Sequence, residues 1–366
     1  MEKIVVDYVY KNYFSARSKA REDVNRIAQD NGFTPFLINT KTTTEQSAEG
    51  KQGFISKLMY NFRKFFILCG SLLSIRRGTL VLFQYPFAPF GEFFTLFFCR
   101  CLKRRKCHLV LLVHDLVHYR ETKVFNEKEI KILNTASELI VHNDKMQELF
   151  KFFGVDRPCR YLWLFDYLTG ETPRPLHDNP NSIAFAGALD KSVFLKKLQD
   201  VSYEGIQLHL YGGQPKDIAN YPEWMHYIGR FSPENVTMLQ EAWGLAWDGE
   251  GIESLQGVIG NYLKYIAPHK VSLYIAAGIP VIISKESALA EFVEKNKLGI
   301  TISSLLELDK RISEFDKEEL QIIRKHVAEM STVLRKGGRL GTILEDIVKD
   351  TESIRNLTEL DISATT

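Results

Sequence analysis

The residues best placed for chemistry lie in one short segment, Pro268-His269-Lys270 followed by Val271-Ser272-Leu273-Tyr274-Ile275-Ala276-Ala277-Gly278-Ile279-Pro280. The apolar run after the basic pair has helical character. Gly278-Ile279-Pro280 is a turn that ends it before the β-rich Val281-Ile282-Ile283. A helix start exposes N–H groups with no intrahelical partner and carries a positive partial charge, so it attracts phosphate. Lys270 adds a full charge, and His269 adds a hydrogen-bond donor. Helix, turn and strand in this order predict a nucleotide-diphosphate site on an open α/β sheet.

The pattern Pro268-His269-Lys270, Tyr274, Ala276-Ala277-Gly278 and Pro280-Val281 resembles the donor-sugar signature in the C-terminal domain of GT-B glycosyltransferases. More narrowly, it is similar to bacterial glucosyltransferases and β-1,6-galactofuranosyltransferases that build surface polysaccharides, such as capsules, and other glycans. Further blocks extend the resemblance over most of the chain: Gln84-Tyr-Pro86, His114-Asp-Leu-Val-His-Tyr-Arg120, Val141-His-Asn-Asp-Lys-Met146, Phe165-Asp-Tyr-Leu168, Phe185-Ala-Gly187, Tyr227-Ile-Gly229 and Gly244-Leu-Ala-Trp-Asp-Gly249. It implies an α/β GT-B fold, two Rossmann-like domains facing each other across a deep cleft. It also implies transfer of a hexose, galactofuranose or glucose, from a UDP-sugar to a glycan or lipid-linked saccharide hydroxyl. No cofactor beyond the donor substrate is implied.

Such a transfer needs the leaving diphosphate stabilised and the acceptor hydroxyl deprotonated. No Asp-x-Asp occurs in the chain, which favours a metal-independent mechanism. For the diphosphate the candidates are His269 and Lys270, with Gly187 and Lys191 in a loop that follows a predicted strand. Gly212 and Arg230 end predicted strands at the same edge and are candidates for the nucleotide. Asp248, Tyr265, Ser272 and Glu291 are further nucleotide or sugar candidates, and turn or surface roles stay open for several of them. Many retaining relatives carry a glutamate three residues after the lysine; here that place is Leu273, so inversion is expected. The base would then come from the N-terminal half. A predicted strand ends there at His114-Asp115, and either side chain can accept a proton near neutral pH. Asp115 would act directly, hold the His114 tautomer, or merely cap the next helix. Asn12, Arg120, His142 and Asn143 are acceptor-side candidates.

These groups require two α/β halves to hold them. At 366 residues, two domains are expected rather than one core. A net charge of +2 argues against a nucleic-acid partner with a general basic surface. The five cysteines lack metal-ligand spacing, and with no evident signal peptide they read as reduced thiols of a cytoplasmic enzyme. The apolar stretches are too short or too interrupted for a membrane span. In the first half, strands are expected at 4–10, 36–38, 80–83, 109–113 and 139–141, and helices at 15–31, 57–74, 92–104, 127–136 and 145–153. A mobile loop is expected at 41–53. Strands at 182–186, 207–211, 225–228, 244–247 and 281–283 form the second series, with helices at 193–200, 233–241 and 270–277. The resulting domains are 1–168, which takes the acceptor, and 182–340, which takes the nucleotide sugar. A Gly/Pro-rich linker at 169–181 joins them, and a helical tail at 341–366 could cross back to the first domain. Segment 93–106 mixes aromatic and basic residues, as in surfaces that rest on anionic membranes. A buried helix with a solvated basic end explains it slightly better. Peripheral contact at the inner face of the cell membrane and a homo-oligomer stay open. So do two rivals, a non-catalytic partner subunit and a sugar-nucleotide epimerase.

Overall fold

The computed structural model describes residues 1–8, 16–38, 54–177 and 179–364. Asn12 and the expected loop at 41–53 lie outside the described residues. The chain divides into two compact units. One comprises Met1–Tyr13, Arg21–Leu162 and Leu340–Thr366; the other comprises Phe14–Ala20 and Trp163–Arg339. The division falls at Leu162/Trp163, earlier than the expected 168. The irregular stretch expected as a linker groups with the second unit instead, and residues 169–177 contain no helix or strand.

The first unit runs β1 (Lys3–Tyr8), α1 (Ala16–Asp30), β2 (Thr34–Ile38), α2 (Phe54–Ser74), β3 (Leu80–Tyr85), α3 (Gly91–Arg104), β4 (His108–Val113), α4 (Val117–Thr122), α5 (Glu127–Leu133), β5 (Glu138–Val141), α6 (Asp144–Phe152) and β6 (Cys159–Tyr161). Its six strands pair in parallel in the order β2-β1-β3-β4-β5-β6. Strands covered on both faces read as continuous apolar runs, and Leu80–Tyr85 is buried along its whole length. Two elements of this unit escaped sequence reading. Helix α4 is too short to show a period, and β6, three half-buried residues, lacks an apolar run.

In the second unit the order is β7 (Ser182–Gly187), a 3-10 turn Leu189–Lys191, α7 (Phe194–Leu198), β8 (Gln207–Gly212), β9 (Met225–Gly229), β10 (Trp243–Ala246), α8 (Gly257–Tyr262), α9 (His269–Ala276), β11 (Val281–Ser284), α10 (Ala290–Lys295), β12 (Gly299–Ile302), α11 (Leu308–Ser313) and α12 (Lys317–Arg335). Its parallel sheet is ordered β12-β11-β10-β7-β8-β9, so consecutive strands extend in opposite directions from the β7/β10 junction. In such sheets ligands collect at the carboxyl ends of the strands near that reversal. The helix expected at 233–241 is instead a single 3-10 turn, Val236–Met238. Asn235 explains the difference, because its side chain accepts from the Thr237 N–H and favours a local turn over a helix. The final helix α13 (Gly338–Ala364) groups with the first unit from Leu340 onward. Among the described residues no helix is long and apolar enough to cross a membrane.

Candidate active site

At the carboxyl edge of the second sheet lies a cavity of about 840 Å³. The ends of β7 and β8 supply Gly187, Tyr211, Gly212 and Gly213; Arg230 and Phe231 follow β9; Pro268, His269, Lys270 and Leu273 come from the start of α9. Of the residues expected from sequence, the structure brings His269, Lys270, Gly187, Gly212 and Arg230 to this one cavity. It adds three aromatic walls: Tyr167, from the block Phe165–Leu168, Tyr211, at the end of the expected strand 207–211, and Phe231, which no motif announced.

Local packing explains why Lys270 sits where it does. Its Nζ donates to Asp248 Oδ2 at 2.7 Å and to the Trp247 carbonyl at 3.2 Å, and lies 4.3 Å from the centre of the Phe185 ring. A Cβ placed on Gly187 would stand 3.7 Å from that Nζ, in ordinary contact, so Gly187 lies directly beside the cation. Asp248 therefore anchors Lys270, and Ser192 Oγ donates to its other oxygen. His269 packs its ring against Phe165 at 4.3 Å between centroids. Gly212 has a structural purpose. A Cβ there would meet the Gly187 carbonyl oxygen at 2.2 Å, so the paired strand ends could not approach.

Tyr274 fixes the start of α9 relative to the sheet. Its hydroxyl accepts from the Ala186 N–H at 2.7 Å and donates to the Leu245 carbonyl at 3.2 Å, which ties α9 to β7 and β10. Gly244 makes room for the ring, since a Cβ there would lie 2.3 Å from Tyr274 Cγ. Gly244→Ala is expected to destabilise the protein by about 3 kcal/mol through overpacking. It should also weaken nucleotide binding, and thermal unfolding with and without UDP checks both.

Several expected residues stand apart from the cavity. Lys191 ends the 3-10 turn as an exposed side chain. Ser272 is buried within α9, and Glu291 is exposed in the first turn of α10. Tyr265 does not line the cavity either. Ser272 lies two residues past Lys270, and the helical period turns it into the core rather than toward the cavity.

In the first unit, His114 and Asp115 follow β4, both partly exposed. His114 Nε2 lies 2.7 Å from Gln84 Oε1, and Gln84 Nε2 donates to Asn25 Oδ1 at 2.8 Å and to Asp7 Oδ2 at 3.3 Å. Asp7 forms a fully buried ion pair with Arg21 at 2.6 Å. Gln84 Oε1 only accepts, so His114 Nε2 carries the hydrogen and the neutral ring keeps its lone pair on Nδ1. Gln84, not Asp115, thus orients His114. Asp115 instead pairs with Arg120 Nη1 at 2.8 Å, and the N-cap of α4 is Leu116, so Asp115 is not that helix's cap. The acceptor-side candidates His142 and Asn143 are structural. His142 is buried with Nε2 2.9 Å from the Val113 carbonyl, and Asn143 caps α6 through the Met146 N–H. Arg120 is committed to Asp115.

Glu129 on α5 is a buried acid that sequence reading passed over. Tyr85 donates to its Oε1 at 3.2 Å. Burial, aided by the charges of Glu92 and Asp115, pushes its carboxyl up to about 7. A raised folded-state value means the group is tolerated when protonated and penalised when charged. Its favourable state is fully present below the ordinary carboxylate range and lost as pH rises to about 7. Glu129→Gln is therefore expected to match wild type near pH 4.5 and exceed it at pH 8 by on the order of 3 kcal/mol, read from denaturant midpoints.

Among the described residues no group of three His, Cys, Asp or Glu side chains is arranged to hold a metal ion. Comparison with known proteins decides the lineage. The glucosyltransferase 3-like N-terminal domain matches residues 3–162, and the glucosyltransferase 3-like C-terminal domain matches residues 183–347. The chain belongs to the glucosyltransferase 3-like family. It is 28% identical to the β-1,6-galactofuranosyltransferase WbbI of Escherichia coli K12, over 81% of this chain and 86% of that one. It is 25% identical to glucosyltransferase 3 of Streptococcus gordonii, over 90% and 93%. Among solved structures, sucrose-phosphate synthase from Thermosynechococcus elongatus superposes with a TM-score of 0.63 over 97% of this chain and all of that one, at 11% identity. The T4 phage BGT in complex with UDP-glucose gives 0.51 over 96% and 98%, at 12% identity. The fold is GT-B, and membership of this family makes the chain a glycosyltransferase. The partner-subunit and epimerase readings are not favoured.

Proposed function

We propose that the chain transfers a hexose from a UDP-sugar to a glycan hydroxyl, with inversion and without a metal ion, in the assembly of a surface polysaccharide or glycan. The observation that carries this reading is the cavity in which Lys270, His269 and the amino end of α9 meet Gly187. A diphosphate seated there would meet the Lys270 ammonium, which it shares with Asp248, a ring donor and helix N–H groups together. Asp248 keeps Lys270 in position before the substrate arrives, so little reorganisation is needed during reaction. The aromatic walls, Tyr211 and Phe231, suit a pyrimidine base. Leu273 on the wall offers no carboxylate to the donor, which supports inversion.

On the acceptor side, His114 is the better base of the pair. Its Nδ1, shielded from solvent as the structure stands, would take the hydroxyl proton once uncovered, as the acceptor oxygen bonds to the anomeric carbon. The bond from that carbon to the diphosphate oxygen breaks, and its electron pair leaves with UDP. Galactofuranose and glucose are the leading sugars, because relatives bear those names. The reaction is tested by incubating the protein with UDP-galactofuranose or UDP-glucose and candidate glycan acceptors in excess EDTA. UDP release that requires acceptor and persists in EDTA supports the reading; activity abolished by EDTA contradicts its metal-independent part.

A further inference from the structure

Helix α2 of the first unit buries Lys64, Leu68 and Leu72, yet turns a second apolar face to solvent. Leu58, Met59, Phe62, Phe65, Phe66 and Leu73 recur on it at helical spacing; Met59 is 69% exposed, Phe66 67% and Leu73 80%. Through Phe65, whose ring lies 5.5 Å from Phe97, the face continues onto α3, where Phe93 is 66% exposed. Single exposed apolar residues are ordinary, but a continuous stripe of this kind marks a contact surface. Helix α3 itself buries Leu96, Phe98, Cys99 and Leu102 and keeps a solvated basic end. The exposed face thus lies chiefly on α2, next to the segment singled out by composition.

Charge identifies the occupant. Residues 54–106 hold ten lysines and arginines against one acid, Glu92, in a chain whose totals are 47 and 45. Arg63, Arg76, Arg77, Arg100, Lys103 and Arg104 of this region are exposed. Apolar side chains interleaved with cations and almost no anions match the headgroup layer of an anionic bilayer. A second copy of the chain fits poorly, because a two-fold contact would set these cations against their own counterparts. We propose that this face of α2 and α3 docks on an anionic lipid surface, with Phe62, Phe66 and Phe93 entering the headgroup layer and the flanking arginines meeting lipid phosphate. Helix α2 would lie in the plane of the interface, consistent with its inability to span.

Co-sedimentation of the full chain with vesicles of phosphatidylcholine alone, or of equal parts phosphatidylcholine and phosphatidylglycerol, tests this. The wild type is expected to pellet only with the anionic vesicles and to be released by high salt. Phe62→Ser/Phe66→Ser should bind roughly tenfold more weakly, and Arg76→Glu/Arg77→Glu about fivefold more weakly for each charge removed. Both variants should keep the wild-type unfolding temperature and its shift by UDP, which separates lost docking from lost folding or a failed donor site. Wild type left in the supernatant with anionic vesicles, or variants that bind as well as wild type, would overturn the proposal. So would an apolar variant that turns an oligomer into a monomer in sedimentation velocity while wild type ignores vesicles.

Discussion

Lys270→Ala is expected to lower kcat/KM for the UDP-sugar by about 10²–10³-fold, the loss that follows removal of one principal donor to a developing anion. In the proposed reaction the cation would meet the diphosphate as the sugar leaves, when its oxygen gains most charge. Three contacts, Asp248, the Trp247 carbonyl and the Phe185 ring, hold Lys270 at the cavity before that moment. Part of the effect will appear as weaker UDP binding, because the product carries the same diphosphate. The fold should tolerate the change, since Tyr274 still ties α9 to β7 and β10. Steady-state kinetics beside calorimetric UDP affinity separate the two contributions. A variant within threefold of wild type in both would remove Lys270 from the diphosphate site.

His114→Ala should lower kcat by about 10²–10⁴-fold, the range for loss of a general base, and leave UDP binding unchanged. The two readouts belong to different units of the chain, so their separation is a sharp test. Gln84→Leu offers a second view. It removes the acceptor that holds His114 Nε2 at 2.7 Å and should lower kcat less, while shifting the acidic limb of the pH–rate profile. A His114→Ala enzyme with normal kcat would transfer the role to another group, Asp115 first.

The donor segment of the second unit was legible because its evidence is local. The basic pair, the apolar period and the Gly-Ile-Pro turn fall within a dozen or so neighbouring residues, and they fold as helix, turn and strand. The groups behind His114 were illegible for the opposite reason. Asp7, Arg21, Asn25 and Gln84 come from three separate elements and meet only when β1 pairs with β3. The fit of Gly244 under Tyr274 is equally non-local. The pairing of Asp115 was equally hidden, since the arginine that holds it lies five residues on. For α2, apolar spacing announced an amphipathic helix but could not say that one apolar face would stay uncovered.

Titration of the wild-type chain with UDP in excess EDTA, followed by heat release and repeated with Lys270→Ala, addresses the donor site most directly. The arrangement of Lys270, His269 and the α9 amino end predicts saturable binding in the chelator that the variant largely loses. No binding until a divalent cation is restored, or equal binding by both proteins, would contradict it.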